Sequence, residues 1–196
     1  MKIDIHSHFF PLISQETAES IDAERAAWLR VDDKDPSNGM IMLNGKEFRH
    51  VYNALWDPDV RIKELDREGI DTQIVCNTPV LFGYSWDAQI ARDWAQKMNE
   101  EAVRFCEKHP SRLKAFSQVP LQDLKMACEE ATRAKKLGCI GVQIGNHVGS
   151  KDLDHPDLVD FLIHCAEEDI PVFIHPWDMM GGPDRMQKWM LPWLVA

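Results

Sequence analysis

Long apolar runs are missing from this chain of 196 residues. No stretch approaches the ~18 consecutive apolar residues that a membrane-spanning helix needs. The N-terminus, MKIDIHSHFF, carries Asp4 and two histidines where a secretory leader needs an unbroken apolar stretch. An excess of positive charge is missing too. The formal net charge is -10, which argues against nucleic acid or an anionic membrane surface as a partner. An anionic substrate would have to be captured by local basic residues against that field. Paired cysteines are also absent. Cys76, Cys106, Cys128, Cys139 and Cys165 are an odd set with no CxxC pair, and most lie in apolar segments. They read as buried free thiols of a protein in the reducing cytoplasm. Finally, no glycine-rich fingerprint follows any candidate strand, which removes the main support for a dinucleotide-binding fold.

What is present is an alternation of strand-like and helix-like segments. Ile3 to His8 alternates apolar and polar residues as a short strand does. Asp57-Pro58 reads as an N-cap and first-turn proline of a helix that Gly69 ends. Thr72 to Cys76 is a β-branched strand. A helix is expected from about Trp86, with Ile90, Trp94, Met98, Ala102 and Cys106 at four-residue spacing. Lys114 to Val119, Cys139 to Ile144 and Pro171 to His175 are three further strands. Between them, Leu124 to Ala134 forms a helical stripe closed by Gly138, and Leu158, Phe161, Leu162, Cys165 and Ala166 form another. A last amphipathic segment runs from about Asp184.

Such alternation predicts a parallel sheet covered by helices. A TIM-type (β/α)8 barrel fits best, but that fold takes about 250 residues. About five βα units are present, so the expectation is the N-terminal portion of a single, longer barrel domain. The strongly apolar end, WMLPWLVA, points the same way. Residues 10 to 56 break the rhythm, with a turn-rich DDKDPSNG centre and aromatic edges at Trp28, Phe48, Tyr52 and Trp56. An insertion after the first barrel strand lies on the face where active sites sit. A lid over the site is the functional reading and a peripheral loop the plain one.

His6-Ser7-His8 is the central chemical feature. Residues i and i+2 of a strand point to the same side, so both imidazoles face the barrel interior. Two such nitrogen donors suit a zinc ion. A lone HxH pair also arises from simple polar packing, and a lone histidine at a strand end is often only capped. Position decides here, because His175 ends the fifth strand at the same face. Together the three histidines predict a metal centre.

At this point the motifs become familiar. DIHSHFFP, FRHVYNALWDP, NTPVLFGY, GVQIGNH, HPWDMMG and KWMLPWLV resemble the aminocarboxymuconate-semialdehyde decarboxylases, in the amidohydrolase superfamily. The resemblance implies one zinc ion held by His6, His8 and His175, with a fourth ligand and a catalytic histidine beyond Ala196. It implies Arg49 as a carboxylate-gripping residue, because a guanidinium can make two parallel hydrogen bonds to a carboxylate. It places Trp193 near the bound substrate. The implied substrate is 2-amino-3-carboxymuconate 6-semialdehyde or a close carboxylated analogue, decarboxylated without an oxidant, in tryptophan or nitroaromatic breakdown. A homodimer is implied for the full-length protein. Trp177 and Asp178 could support the metal histidine, and His147 reads equally as polar lining or as a catalytic group. His50, His109, His155 and His164 read as loop or helix-surface residues. Two other readings stay open: a metal-dependent hydrolase on the same barrel, and an inactive barrel fragment.

Overall fold

A computed structural model describes residues 1–22 and 24–177. The elements, in chain order, are β1 (Ile3–Phe9), α1 (Gln15–Asp22), β2 (Trp28–Val31), β3 (Asn38–Leu43) and β4 (Lys46–Tyr52). They continue with α2 (Pro58–Glu68), β5 (Thr72–Asn77), α3 (Ala88–Glu107), β6 (Leu113–Ser117), α4 (Leu124–Leu137) and β7 (Gly141–Gly145). Last come β8 (His147–Val148), β9 (Lys151–Asp152), α5 (Pro156–Glu167) and β10 (Val172–His175). The segment expected from Asp184, and with it Trp193 and Asp178, lies outside the described residues.

Five strands form one sheet in the order β1-β5-β6-β7-β10, and every neighbouring pair in it is parallel. Helices α2, α3, α4 and α5 supply the crossovers, so the chain builds five consecutive barrel strands. The local signals explain the boundaries. Asp57 Oδ1 accepts from the N–H groups of Asp59 and Val60, and Gly69 closes α2 with φ 63, a left-handed conformation natural to glycine. Asp87, one residue beyond the expected start at Trp86, caps α3 in the same way. That frees Trp86 to pack against Trp94.

Two strand ends fall two residues from expectation, the others at most one, and for one reason: their main-chain groups are claimed elsewhere. The N–H of Cys139 turns back to Ala134 O at the end of α4, so β7 starts later than Cys139. The N–H of Gln118 donates to the Asn99 side chain, so β6 stops at Ser117. Asn99 also donates to the buried Glu130 carboxylate at 2.6 Å, which Arg133 grips through two nitrogens. This network ties α3 and α4 to the end of β6.

The stretch from 10 to 56 is α1 followed by an antiparallel sheet, β2-β3-β4. Asn44 and Gly45, with φ 53 and 67, make the turn between β3 and β4. An Asn-Gly pair between apolar runs is a strong hairpin signal, and the sequence reading passed over it. Phe10, Leu29, Ile41, Val51 and Trp56 form a core of their own, into which Trp94 and Met98 of α3 project.

Gly141 lets the last two strands meet. A Cβ there would stand 2.6 Å from Pro171 O and 2.7 Å from the Phe116 ring. Gly141→Ala should therefore lower unfolding free energy by about 1–3 kcal/mol, the usual cost of overpacking. Urea denaturation measures it, and an unchanged midpoint would show that β7 and β10 can separate freely.

Candidate metal centre

β1 and β10 are the first and last strands of the sheet, yet their C-terminal ends meet. His8 Nε2 lies 3.3 Å from His6 Nε2 and 3.2 Å from His175 Nε2. One nitrogen from each residue can be chosen so that all lie within 4.8 Å of one another. The sheet curves enough, over three intervening strands, to bring residues 167 positions apart into contact.

The three imidazoles suit a cation. His8 Nδ1 sits 3.3 Å from Asn77 O, and His175 Nδ1 sits 2.6 Å from Pro176 O. A carbonyl only accepts, so these contacts place the proton on Nδ1 and leave Nε2 with a free lone pair. Metal-bound histidines are usually supported in this way. Burial, then the nearby His175 and His6, push the pKa of His8 down to about 4. Burial also lowers that of His175. Both rings are therefore neutral near pH 7, the form that binds metal.

The simple alternation expected for β1 needs a correction. The strand pairs Asp4 with Gln73 and Ser7 with Val75, so it carries one more residue than β5 over this interval. This is a β-bulge. Regular alternation would place Asp4 on the same side as His6 and His8. Instead its Oδ2 accepts from Gln73 Nε2 at 2.7 Å, and Gln73 is held by Arg61 of α2, on the helix side. The bulge leaves the two histidines facing inward and turns the carboxylate away.

The other expected residues fall differently. Arg49 lies exposed on β4, with its guanidinium over the Phe48 ring at 5.6 Å. Its neighbour His50, read from sequence as a loop or surface residue, lines a cavity of about 440 Å³ together with His8, Tyr52, Arg61 and Glu64. His50 is exposed on β4, and only the fold brings it to the cavity that His8 lines. A cavity of about 500 Å³ between β2 and β3 also reaches His50 but none of the three clustered histidines. His147 is buried on β8, its Nδ1 3.3 Å from Asn146 Oδ1. Trp177 closes over Phe82 and Tyr84, and its main-chain N–H donates to Asn146 Oδ1. His109 contacts Asp59, His164 contacts Thr132, and His155 caps α5. The five cysteines are free, and burial pushes Cys76, Cys106, Cys139 and Cys165 up to about 12. Among the described residues no helix is long and apolar enough to cross a membrane.

The chain is thus a parallel barrel sheet with an HxH pair on its first strand and a third histidine on its fifth, a donor set that could hold a metal ion. The sequence pattern of the amidohydrolase family matches residues 3–195, and the chain belongs to that family. It is 37% identical over 197 residues to the 2-amino-3-carboxymuconate-6-semialdehyde decarboxylase of Dictyostelium discoideum, covering 100% of this chain and 54% of that protein. The crystal structure of apo IDCase from Metarhizium anisopliae superposes with a TM-score of 0.71 at 22% identity, over 95% of this chain and 54% of that one. The dihydroxybenzoic acid decarboxylase of Polaromonas sp. JS666, solved with bound manganese and the inhibitor 2-nitroresorcinol, gives 0.68 at 22% identity, over 100% and 55%. The chain thus spans about half the length of the relatives it matches.

The depressed pKa of His8 has a consequence for the metal-free protein. Between pH 6.5 and about 4 the unfolded His8 takes up a proton that the folded one refuses. Where the unfolded state binds more protons, stability falls as pH falls. Urea unfolding should show lower stability at pH 5 than at pH 7, and His8→Gln should flatten that slope. An equal slope in the variant would mean that His8 titrates normally in the fold.

Proposed function

We propose that the chain carries the metal-holding and substrate-holding half of a non-oxidative decarboxylase. The observation that carries this reading is the convergence of His6, His8 and His175 in a chain 37% identical to a named decarboxylase. The substrate is 2-amino-3-carboxymuconate 6-semialdehyde or a close carboxylated analogue. The proposed ion is a single zinc, which three histidine nitrogens suit; the Polaromonas relative holds manganese, so both ions belong in the test. When bound, the ion supplies positive charge where negative charge develops as CO₂ leaves.

The residues of this chain have definable tasks. His6, His8 and His175 hold the ion through ring nitrogens. Arg49 grips a substrate carboxylate through its forked donors, and His50, beside it on β4, faces the cavity that His8 also lines. That shared cavity supports reading residues 10–56 as a lid. Trp193 stands near the substrate. Proton transfer falls to a histidine beyond residue 196, and the full-length protein acts as a homodimer in the cytoplasm.

The test is to load the full-length protein with zinc or manganese and follow loss of the muconate chromophore together with CO₂ release. Decarboxylation of this acid, abolished in His175→Ala together with metal uptake, is the expected result. Arg49→Ala should raise KM about tenfold or more, the order of a lost charge-assisted hydrogen bond, while metal content stays the same. Acid release from a lactone with no CO₂ from any carboxylated substrate would replace this reading with a hydrolase.

A further inference from the structure

Arg61 projects from α2 toward the outer face of β1 and is 7% exposed. Its hydrogen-bond partners among the described residues are all neutral. Nη2 donates to His8 O at 2.6 Å, and Nη1 donates to Gln73 Oε1 at 2.9 Å and reaches Ser7 Oγ at 3.5 Å. The guanidinium also lies over the Phe105 ring at 5.5 Å. Gln73 then passes its own N–H to Asp4 Oδ2 at 2.7 Å, and Asp4 Oδ1 accepts the main-chain N–H of His6 at 3.1 Å. One side chain is thus tied to the main chain of both histidines of the HxH pair, directly at His8 and through two residues at His6. The tie spans the bulge in β1.

We propose that Arg61 is the positioning residue of the candidate metal centre: it holds the bulge that points His6 and His8 inward and keeps the Asp4 carboxylate out of the ligand cluster. The proposal rests on the metal-centre reading above.

The chemistry favours positioning over simple stability. Burying a cation among neutral partners costs desolvation free energy, and Nε of Arg61 is buried with no partner among the described residues. What arginine supplies, and an apolar side chain of similar size cannot, is several donors in a fixed plane. Here those donors meet a carbonyl of β1 and an amide of β5 at once. Without them Gln73 loses its anchor, Asp4 is free to turn inward, and the spacing of the two imidazoles relaxes.

Cobalt(II) reports both affinity and ligand geometry, the latter through its visible absorption. Wild-type chain, Arg61→Met, Arg61→Lys and Met98→Ala are titrated with cobalt, and their metal-free forms are melted. Met98 is buried where α3 meets the insertion core, so its loss destabilises the fold away from the centre. Arg61→Met should weaken cobalt binding at least about tenfold, the scale found for groups that orient metal ligands, and should shift the absorption band. Arg61→Lys, which keeps charge but not the fork, should fall between it and wild type. Met98→Ala should lower the melting temperature and change neither cobalt readout. In metal-free protein, Arg61→Met should also speed amide exchange at His6, whose N–H Asp4 holds. If Arg61→Met melts earlier but binds cobalt with wild-type affinity and spectrum, Arg61 is only structural and the proposal fails alone. A wild-type chain that takes up no cobalt overturns the metal-centre reading, and this proposal with it.

Discussion

The neutral imidazoles of His8 and His175, whose Nε2 lone pairs face each other, do not hold one another in place. Unprotonated nitrogens 3.2 Å apart gain nothing from the approach unless something positive lies between them. The convergence must therefore be imposed by the backbone. Sheet curvature sets the distance between β1 and β10. The bulge in β1 sets the direction of its two histidines. The carbonyls of Asn77 and Pro176 set ring orientation and tautomer for His8 and His175. Each device is made of main-chain geometry and neutral hydrogen bonds, which do not depend on pH over the range where the rings must stay uncharged.

The insertion after β1 is built into this frame. Its apolar residues form one core with Trp94 and Met98 of α3 and with Leu81 and Trp86 of the preceding loop. The Trp94 indole donates to Leu81 O at 2.9 Å, and Phe10 N–H reaches across to Leu55 O. Val51 of β4 is therefore packed into the same core as a barrel helix.

Much of the barrel was legible because its signals are local. Asp57, Pro58 and Gly69 mark the ends of α2 by chemistry that needs no tertiary context, and the apolar stripes of α3, α4 and α5 need only the helical period. HxH followed by a histidine at a later strand end was also readable, because strand alternation is itself local. What escaped detection was long-range. The bulge is invisible in DIHSH, since one extra residue matters only against the register of β5. His50 is exposed, as its sequence context suggests, and only the fold brings it to the cavity that His8 lines. Arg61 carries no motif; it matters through contacts with residues 7, 8 and 73. The Asn44-Gly45 hairpin is the exception, a local signal hidden by the polar stretch around it.

The 167 positions between His8 and His175 also impose an order in time. On a ribosome making about 5–20 residues per second, the first two imidazoles emerge roughly 10–30 s before the third. Until β10 is made, the HxH pair has no third partner, and any ion it meets is held by two nitrogens, weakly and exchangeably. Under the proposed function, binding of a cation by all three nitrogens begins only when the fifth strand docks, so choice among metals falls to the assembled sheet and not to the nascent chain.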